Sequence, residues 1–281
     1  MNSHLFKLLA VALTLLSVSS CKKLQINPIL DRLGVSWPLL GDNKILGPLD
    51  YDYIIVGGGS AGSVLANRLS EDQATSVLLL EAGGNEKAFS DMPIAWTQLY
   101  RSELDWSYET SPQKHACFGF KKRSSLWTRG KVLGGTSVMN GMLYMRGNPI
   151  DYNLWPDSWK WPEVFPYFLK SENNRDPKIA GNGFHARGGP LDVSSPRYMT
   201  PLGSAFLESA SEFGYPITLD VNGPRSAGFS PSQLTMRDGA RCSTAKAFLF
   251  PAHKRLNLHI ITHALATQVS TGEVTPLIQF S

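Results

Sequence analysis

The tightest constraint on this chain is the stretch YDYIIVGGGSAGSVLANRL, residues 51–69. An apolar run from Tyr53 to Val56 meets three consecutive glycines and then turns into a pattern of helical period. The spacing Gly57, Gly59, Gly62 reads G-x-G-x-x-G. In a strand–turn–helix unit Gly57 permits the tight turn, Gly59 lets backbone approach a pyrophosphate, and Gly62 lets the helix pack close to the strand. The helix, predicted from Ala61 to about Glu71, would present free N–H groups and a partial positive charge near Ser60, Ala61 and Gly62. A second strand, predicted over Ser76 to Leu80, ends on Glu81, 19 positions after the third glycine. A carboxylate there accepts hydrogen bonds from the ribose of an adenosine. A plain tight turn and a solvated strand end explain these pieces singly. Strand, glycines, helix and acid in register predict a dinucleotide site. NAD and FAD share this half-site, so the cofactor stays open at this point.

Composition sets the outer limits. With 281 residues, 42% hydrophobic and 18% charged, the chain is globular and can bury a substantial core. Its net charge of +4 is spread out, with no basic block to mark a nucleic-acid partner. Lys7 precedes an uncharged apolar run, Leu8 to Val18, followed by Ser19-Ser20-Cys21. That run is shorter than the roughly 20 residues that span a bilayer. It predicts a signal peptide over 1–20, a secreted chain and no membrane span after cleavage, against an uncleaved anchor or a buried N-terminal helix. Residues 21–47, broken by Pro28, Gly34, Pro38 and Gly41, read as a linker, and the folded region as 48–281. Cys21, Cys117 and Cys242 are too few for a disulfide scaffold; the last two are a possible pair, with two unrelated free thiols the favoured reading. No Cys/His spacing suits a metal.

Further along, Gly83 to Arg129 shows no clear period and is predicted to be irregular. A short helix is expected from about Pro162, because proline is favourable in a first helical turn. Residues 173–190 read as loop, 201–213 as a helix ended by Gly214, DVNG at 220–223 as a turn, and Leu256 to Val269 as strand. Between these lies a second glycine-rich segment, RGKVLGGTSVMNGMLYMRGN, residues 129–148. Gly134-Gly135 again allows close backbone approach. Thr136 and Ser137 offer hydroxyls, and Asn140 an amide with both donor and acceptor. Such groups suit the polar edge of a flavin ring; a turn followed by a capped helix is the plainer alternative. A nicotinamide domain gives no account of this segment.

These motifs, with LLLEAGG at the second strand end and RCSTAKAFLFP at 241–251, resemble the glucose–methanol–choline (GMC) family of FAD-dependent oxidoreductases, especially its insect glucose dehydrogenase-like branch. The resemblance runs from about Tyr51 to about Thr267. DWSYETSPQ and WPEVFPYFLKSE match more weakly. It implies an α/β fold: a Rossmann-like FAD-binding domain, discontinuous in sequence, with part of an antiparallel α+β substrate domain that starts over about 151–215. It implies oxidation of an alcohol or sugar by hydride transfer to flavin, with the electron acceptor unassigned. Carried over by motif, Gly57, Gly59, Ser60, Ala61 and Gly62 cradle the pyrophosphate and Glu81 binds the ribose. Arg129, Val132, Gly135, Thr136, Asn140, Gly141, Met142 and Leu143 line the flavin, and Ala266 meets the adenine through its backbone.

There are departures from the family pattern. Serines at 124 and 125 stand where insect-type members carry a cysteine to pair with the one at Cys117. The Asp157–Trp161 region is shorter than the family's. The family's second signature and its C-terminal histidine base match nothing here, so no catalytic residue is assigned and a truncated chain without alcohol oxidation is expected. The rival reading is a catalytically silent secreted remnant or binding module. QVSTGEVTPLIQFS is not expected to form the family's strand and hairpin. Glu81→Ala is expected to weaken adenosine binding by about 1–3 kcal/mol while leaving the fold largely intact. Gly59→Val is expected to abolish flavin incorporation, through its Cβ and through glycine-only backbone angles.

Overall fold

The computed structural model describes residues 24–26, 50–271 and 276–280. The stretch read as a signal peptide, Cys21 and most of the stretch read as a linker lie outside them. Three parallel strands form the centre: β1 (Tyr53–Val56), β2 (Val77–Leu80) and β3 (Leu258–Ile261), in the order β3-β2-β1. They run in full register, Tyr53 and Leu258 both opposite Val77, Val56 and Ile261 both opposite Leu80. Every residue of the middle strand β2 is at most 1% exposed. Its unbroken Val-Leu-Leu-Leu suits a strand covered on both faces. Leu78 and Leu80 pack with Tyr51, Ile54, Ile261 and Ala264, whereas Val77 and Leu79 pack with Ala66, Leu133, Leu249 and Leu258.

The crossover from β1 to β2 is helix α1 (Ser60–Leu69), which begins at an extended Gly59 and buries Gly62, Ser63, Ala66 and Asn67. Asn67 Nδ2 donates to the Phe248 carbonyl at 2.7 Å, which ties α1 to the helical segment Ala245–Ala252. Helices α2 (Trp161–Ser171) and α3 (Pro201–Glu212) both open on a proline in their first turn. The irregular excursion after β2 is made of 3₁₀ turns and a short hairpin pairing Tyr108–Glu109 with Leu126–Trp127.

The predicted strand 256–269 is two strands, β3 and β4 (Ala266–Thr271). Between them the backbone leaves the sheet. His263 N donates to Gly83 O and Ala264 N to Glu81 O, both at 2.9 Å, so this corner caps the end of β2 instead of extending β3. The tail does form a hairpin, against expectation: β4 pairs antiparallel with β5 (Pro276–Phe280). Its threonines, valine and isoleucine favour extended backbone. β5 pairs in parallel with Leu24–Ile26, inside the stretch read as linker. In the 151–215 stretch, Glu172–Asn174 and Leu191–Val193 pair in parallel, so the antiparallel sheet of the substrate domain is not formed by these residues among themselves. The connection between them is long enough for the crossover that parallel pairing needs. Among the described residues, no helix is long and apolar enough to cross a membrane. Cys117 and Cys242 are both free.

Candidate functional site

The two glycine segments meet each other. Gly134 N donates to Gly58 O at 2.7 Å, and Leu133 N to Gly84 O at 2.9 Å. A Cβ on Gly135 would stand 2.7 Å from Gly59 Cα, so only glycine permits this approach. Gly57 takes a φ of +99°, the left-handed turn that the spacing predicts. A Cβ on Gly62 would fall 1.9 Å from Gly57 O, because α1 packs directly on the turn. Gly59 differs from both. Its φ is −74°, ordinary for any residue, and a Cβ there would meet nothing closer than Gly135 Cα at 3.9 Å. Against expectation, the backbone at position 59 does not require glycine; what a side chain there would obstruct is the cleft, which is the open space beside Gly59.

That cleft, about 360 Å³, lies at the carboxyl ends of β1 and β2. It gathers Gly57, Gly59 and Ser60 from the first motif, Glu81 from the strand end, Arg129, Gly135 and Thr136 from the second segment, and Ala266 from β4. Trp106, Gly130, Ala264 and Leu265 also line it and were not anticipated. Trp106 falls in the weakly matching DWSYETSPQ stretch, which was the available signal. The other candidates do not line it. Gly62 serves packing. Val132 is buried against Leu99, Leu104, Val138 and Met139, and the Met142 side chain is buried too, at a φ of +63°. Any contact these two make with a bound group runs through backbone. Ala61, Asn140 and Leu143 are exposed, and Gly141 is half-buried.

The amino end of α1 has no side-chain cap and no acid in its first turn. Ser63 N bonds back to Gly59 O at 2.9 Å, so the N–H groups before it are available to an anion. Glu81 is nearly buried. Its Oε2 accepts from Gly58 N at 2.7 Å and its Oε1 from Gly83 N at 2.9 Å. Burial pushes its carboxyl above the usual range, against the pull of these two bonds. Each oxygen keeps a lone pair for a ribose hydroxyl. The carboxylate thus fastens two loops besides facing the cleft, a role its position in the sequence did not reveal.

A second polar cluster holds the far end of the glycine-rich segment. Arg146 Nη2 pairs with Glu172 Oε2 at 2.7 Å, both side chains at most 1% exposed. His185 Nδ1 meets Glu172 Oε1 at 2.7 Å, and its Nε2 meets Asp220 Oδ2 at 3.0 Å. Asn222 joins this cluster to the segment, accepting from Arg146 N at 2.9 Å and donating to Tyr144 O at 3.0 Å. Burial alone would lower the His185 pKa; the bonds to Asp220 and Glu172, and their charges, outweigh it and raise it to about 9. No histidine lines the cleft among the described residues.

Comparison with known proteins matches this arrangement. The family model for GMC oxidoreductase covers residues 51–275, past the point where the resemblance was expected to fade. Glucose dehydrogenase (FAD, quinone) of Drosophila pseudoobscura is 45% identical over 224 residues, 78% of this chain and 36% of that protein. Oxygen-dependent choline dehydrogenase of Pseudomonas fluorescens is 43% identical over 231 residues, 78% of this chain and 40% of that one. Among solved structures, pyridoxine 4-oxidase from Mesorbium loti superposes with a TM-score of 0.72 at 35% identity, over 81% of this chain and 47% of that chain. The chain spans less than half the length of each of these relatives.

Proposed function

The chain belongs to the GMC oxidoreductase family, and from that premise we propose that residues 51–275 bind FAD and form the cofactor-holding part of an oxidoreductase acting on CH–OH donors. The observation that carries this is the close approach of Gly135 to Gly59, where a Cβ on Gly135 would stand 2.7 Å from Gly59 Cα, beside a cleft that both glycines line and into which a Cβ on Gly59 would project. The ADP half fits the residues present. Uncapped N–H groups of α1 and the backbone of Gly57 and Gly59 receive the pyrophosphate, and Glu81 receives the ribose. Ala264 and Ala266 offer small side chains and backbone to the adenine, and Leu265 an apolar surface. The second segment, from Arg129 through Thr136 toward Asn140, leads onward for the flavin. When bound, FAD would supply the ring that accepts a hydride from the donor carbon. This chain's residues bind and orient it; no side chain among those lining the cleft is assigned as the base.

The substrate class proposed for the whole protein is a small alcohol or sugar, as the relatives' names indicate for them. One relative is named with a quinone and the other as oxygen-dependent, so no acceptor is proposed for this chain. The apolar run Leu8 to Val18 supports a signal peptide and secretion. The experiment is calorimetric titration of the chain with ADP, FAD and NAD. ADP and FAD should compete for one site, with FAD the tighter ligand and turning the protein yellow. A chain that binds neither, or prefers NAD, overturns the reading.

A further inference from the structure

The second glycine segment is held from its buried side by residues 241–244, Arg-Cys-Ser-Thr. Thr244 N donates to Ser137 Oγ at 3.0 Å, and Ser137 Oγ in turn donates to Gly134 O at 2.6 Å. Arg241 is 1% exposed. Its Nε donates to Ser90 O at 2.9 Å, and its Nη1 reaches both Ser137 O at 3.0 Å and Asn140 Oδ1 at 2.9 Å. Its Nη2 is buried with no hydrogen-bond partner. A guanidinium held this deep with one nitrogen unsatisfied is a poor device for stability, since a neutral side chain would avoid the desolvation. What it does achieve is geometric.

Asn140 Oδ1 accepts from Arg241 Nη1 and from Met142 N, the latter at 3.1 Å. With the amide reversed, its NH₂ would face two donors, so this pair of bonds fixes which end is which. The Nδ2 end is left on the exposed side of the segment. Asn140 itself is exposed, and its N–H bonds the carbonyl of Thr136, which lines the cleft. We propose that Arg241 is a positioning residue. By gripping Asn140 Oδ1 from beneath, it turns the Asn140 N–H donors outward, toward an acceptor atom of the ring that continues from the ADP half. The ligand chemistry is a carbonyl oxygen or an unprotonated ring nitrogen on a planar heterocycle. A lysine could supply the charge but not the planar fork that reaches three acceptors at once. The inference rests on the FAD reading above.

The test titrates ADP and FAD separately into the whole chain and its variants Asn140→Ala, Arg241→Met, Arg241→Lys and the Asn140→Ala/Arg241→Met double. ADP occupies only the half-site of the first motif, so its affinity should be unchanged throughout. FAD affinity should fall about tenfold in each of the Ala and Met single variants, the scale of one hydrogen bond. The double variant should lose no more than the weaker single, because both remove the same interaction. The visible circular dichroism of bound flavin should change alike in both singles. Three results overturn the proposal: wild-type FAD affinity and dichroism in Arg241→Met, losses in the double that multiply, or full retention in Arg241→Lys. The exposed Asn140 variant and the lysine variant carry the test if the methionine variant does not fold. A wild-type chain that does not bind FAD, with or without ADP, fails the functional reading itself; a wild-type chain that binds both, with variants that keep its FAD affinity, overturns this inference alone.

Discussion

Replacing Glu81 by alanine tests how far the cofactor site and the fold are the same object. Both carboxylate oxygens accept backbone N–H groups, from Gly58 at 2.7 Å and Gly83 at 2.9 Å, and the side chain is 5% exposed. Alanine leaves both donors unpaired in buried surroundings. Each costs about 1–3 kcal/mol, so the pair costs about 2–6 kcal/mol. Burial already disfavours the charged carboxyl, and removing it relieves that penalty, which draws the expected loss toward the lower end. Even so, the loss is a large share of the roughly 5–15 kcal/mol that holds a typical domain together. The sequence-based expectation that this variant keeps its fold largely intact is corrected on this ground. Glu81→Gln keeps one acceptor oxygen and sets its NH₂ against the other donor, so it should fall between wild type and alanine. The assay is urea unfolding of ligand-free protein with linear extrapolation, beside an ADP titration. A Glu81→Ala protein that unfolds at the wild-type midpoint with the wild-type slope would refute the two-loop role.

Two glycines of one motif should fail in different ways. Gly59→Val should fold normally but lose ADP binding, read by calorimetry, because its Cβ projects into the cleft and meets no protein atom closer than Gly135 Cα at 3.9 Å. Gly62→Ala should lose about 1–3 kcal/mol in unfolding experiments, since its Cβ would lie 1.9 Å from Gly57 O and the backbone must shift. Arg146→Met should cost up to about 3–5 kcal/mol by removing one of the two cations that face buried Glu172, His185 being the other, measured by denaturant unfolding; a loss under 1 kcal/mol would show the pair to be dispensable. His185 faces Glu172, Asp220 and Arg146, and its pKa is raised to about 9 from an unfolded value near 6.5. Its stabilisation is therefore fully present below pH 6.5 and lost as pH rises through about 9. Unfolding midpoints from pH 6 to 10 should fall in wild type, with a shallower fall in His185→Gln.

The first motif was legible because each glycine answers to its nearest neighbours. The turn at Gly57 and the contact of Gly62 with Gly57 O are both made within six residues of chain, so spacing alone encodes them. Position 81 was legible for the same reason, since it closes a strand of unbroken apolar residues. Its bond to Gly58, 23 residues away, was not. The Arg146–Glu172–His185–Asp220 cluster left no trace in the pattern. Its members lie on a segment end, a strand, a loop and a turn, and they share no period that a reader could follow. The hairpin of β4 and β5 went unseen because its pairing is set by the partner strand and only weakly by alternation along either one.

These buried polar groups share one feature: they attach to the second glycine segment. Apolar burial fixes that segment only at Val132, Leu133, Val138, Met139 and Met142. Elsewhere it is held by directional bonds: Gly58 to Gly134, Ser137 and Thr244 at the turn, Arg241 at Asn140, and the Arg146 cluster at the far end. Apolar contacts alone would tolerate a shift of the segment along its own length, because dispersion and burial are nearly indifferent to direction. Hydrogen bonds at 2.6–3.0 Å between named atoms are not indifferent to it. On the proposed function, the segment presents backbone to a pyrophosphate at one end and an amide N–H at the other, and this needs its register fixed. This explains why the chain buries four charged side chains in one cluster and a fifth, Arg241, under Asn140, where packed apolar residues would serve stability as well.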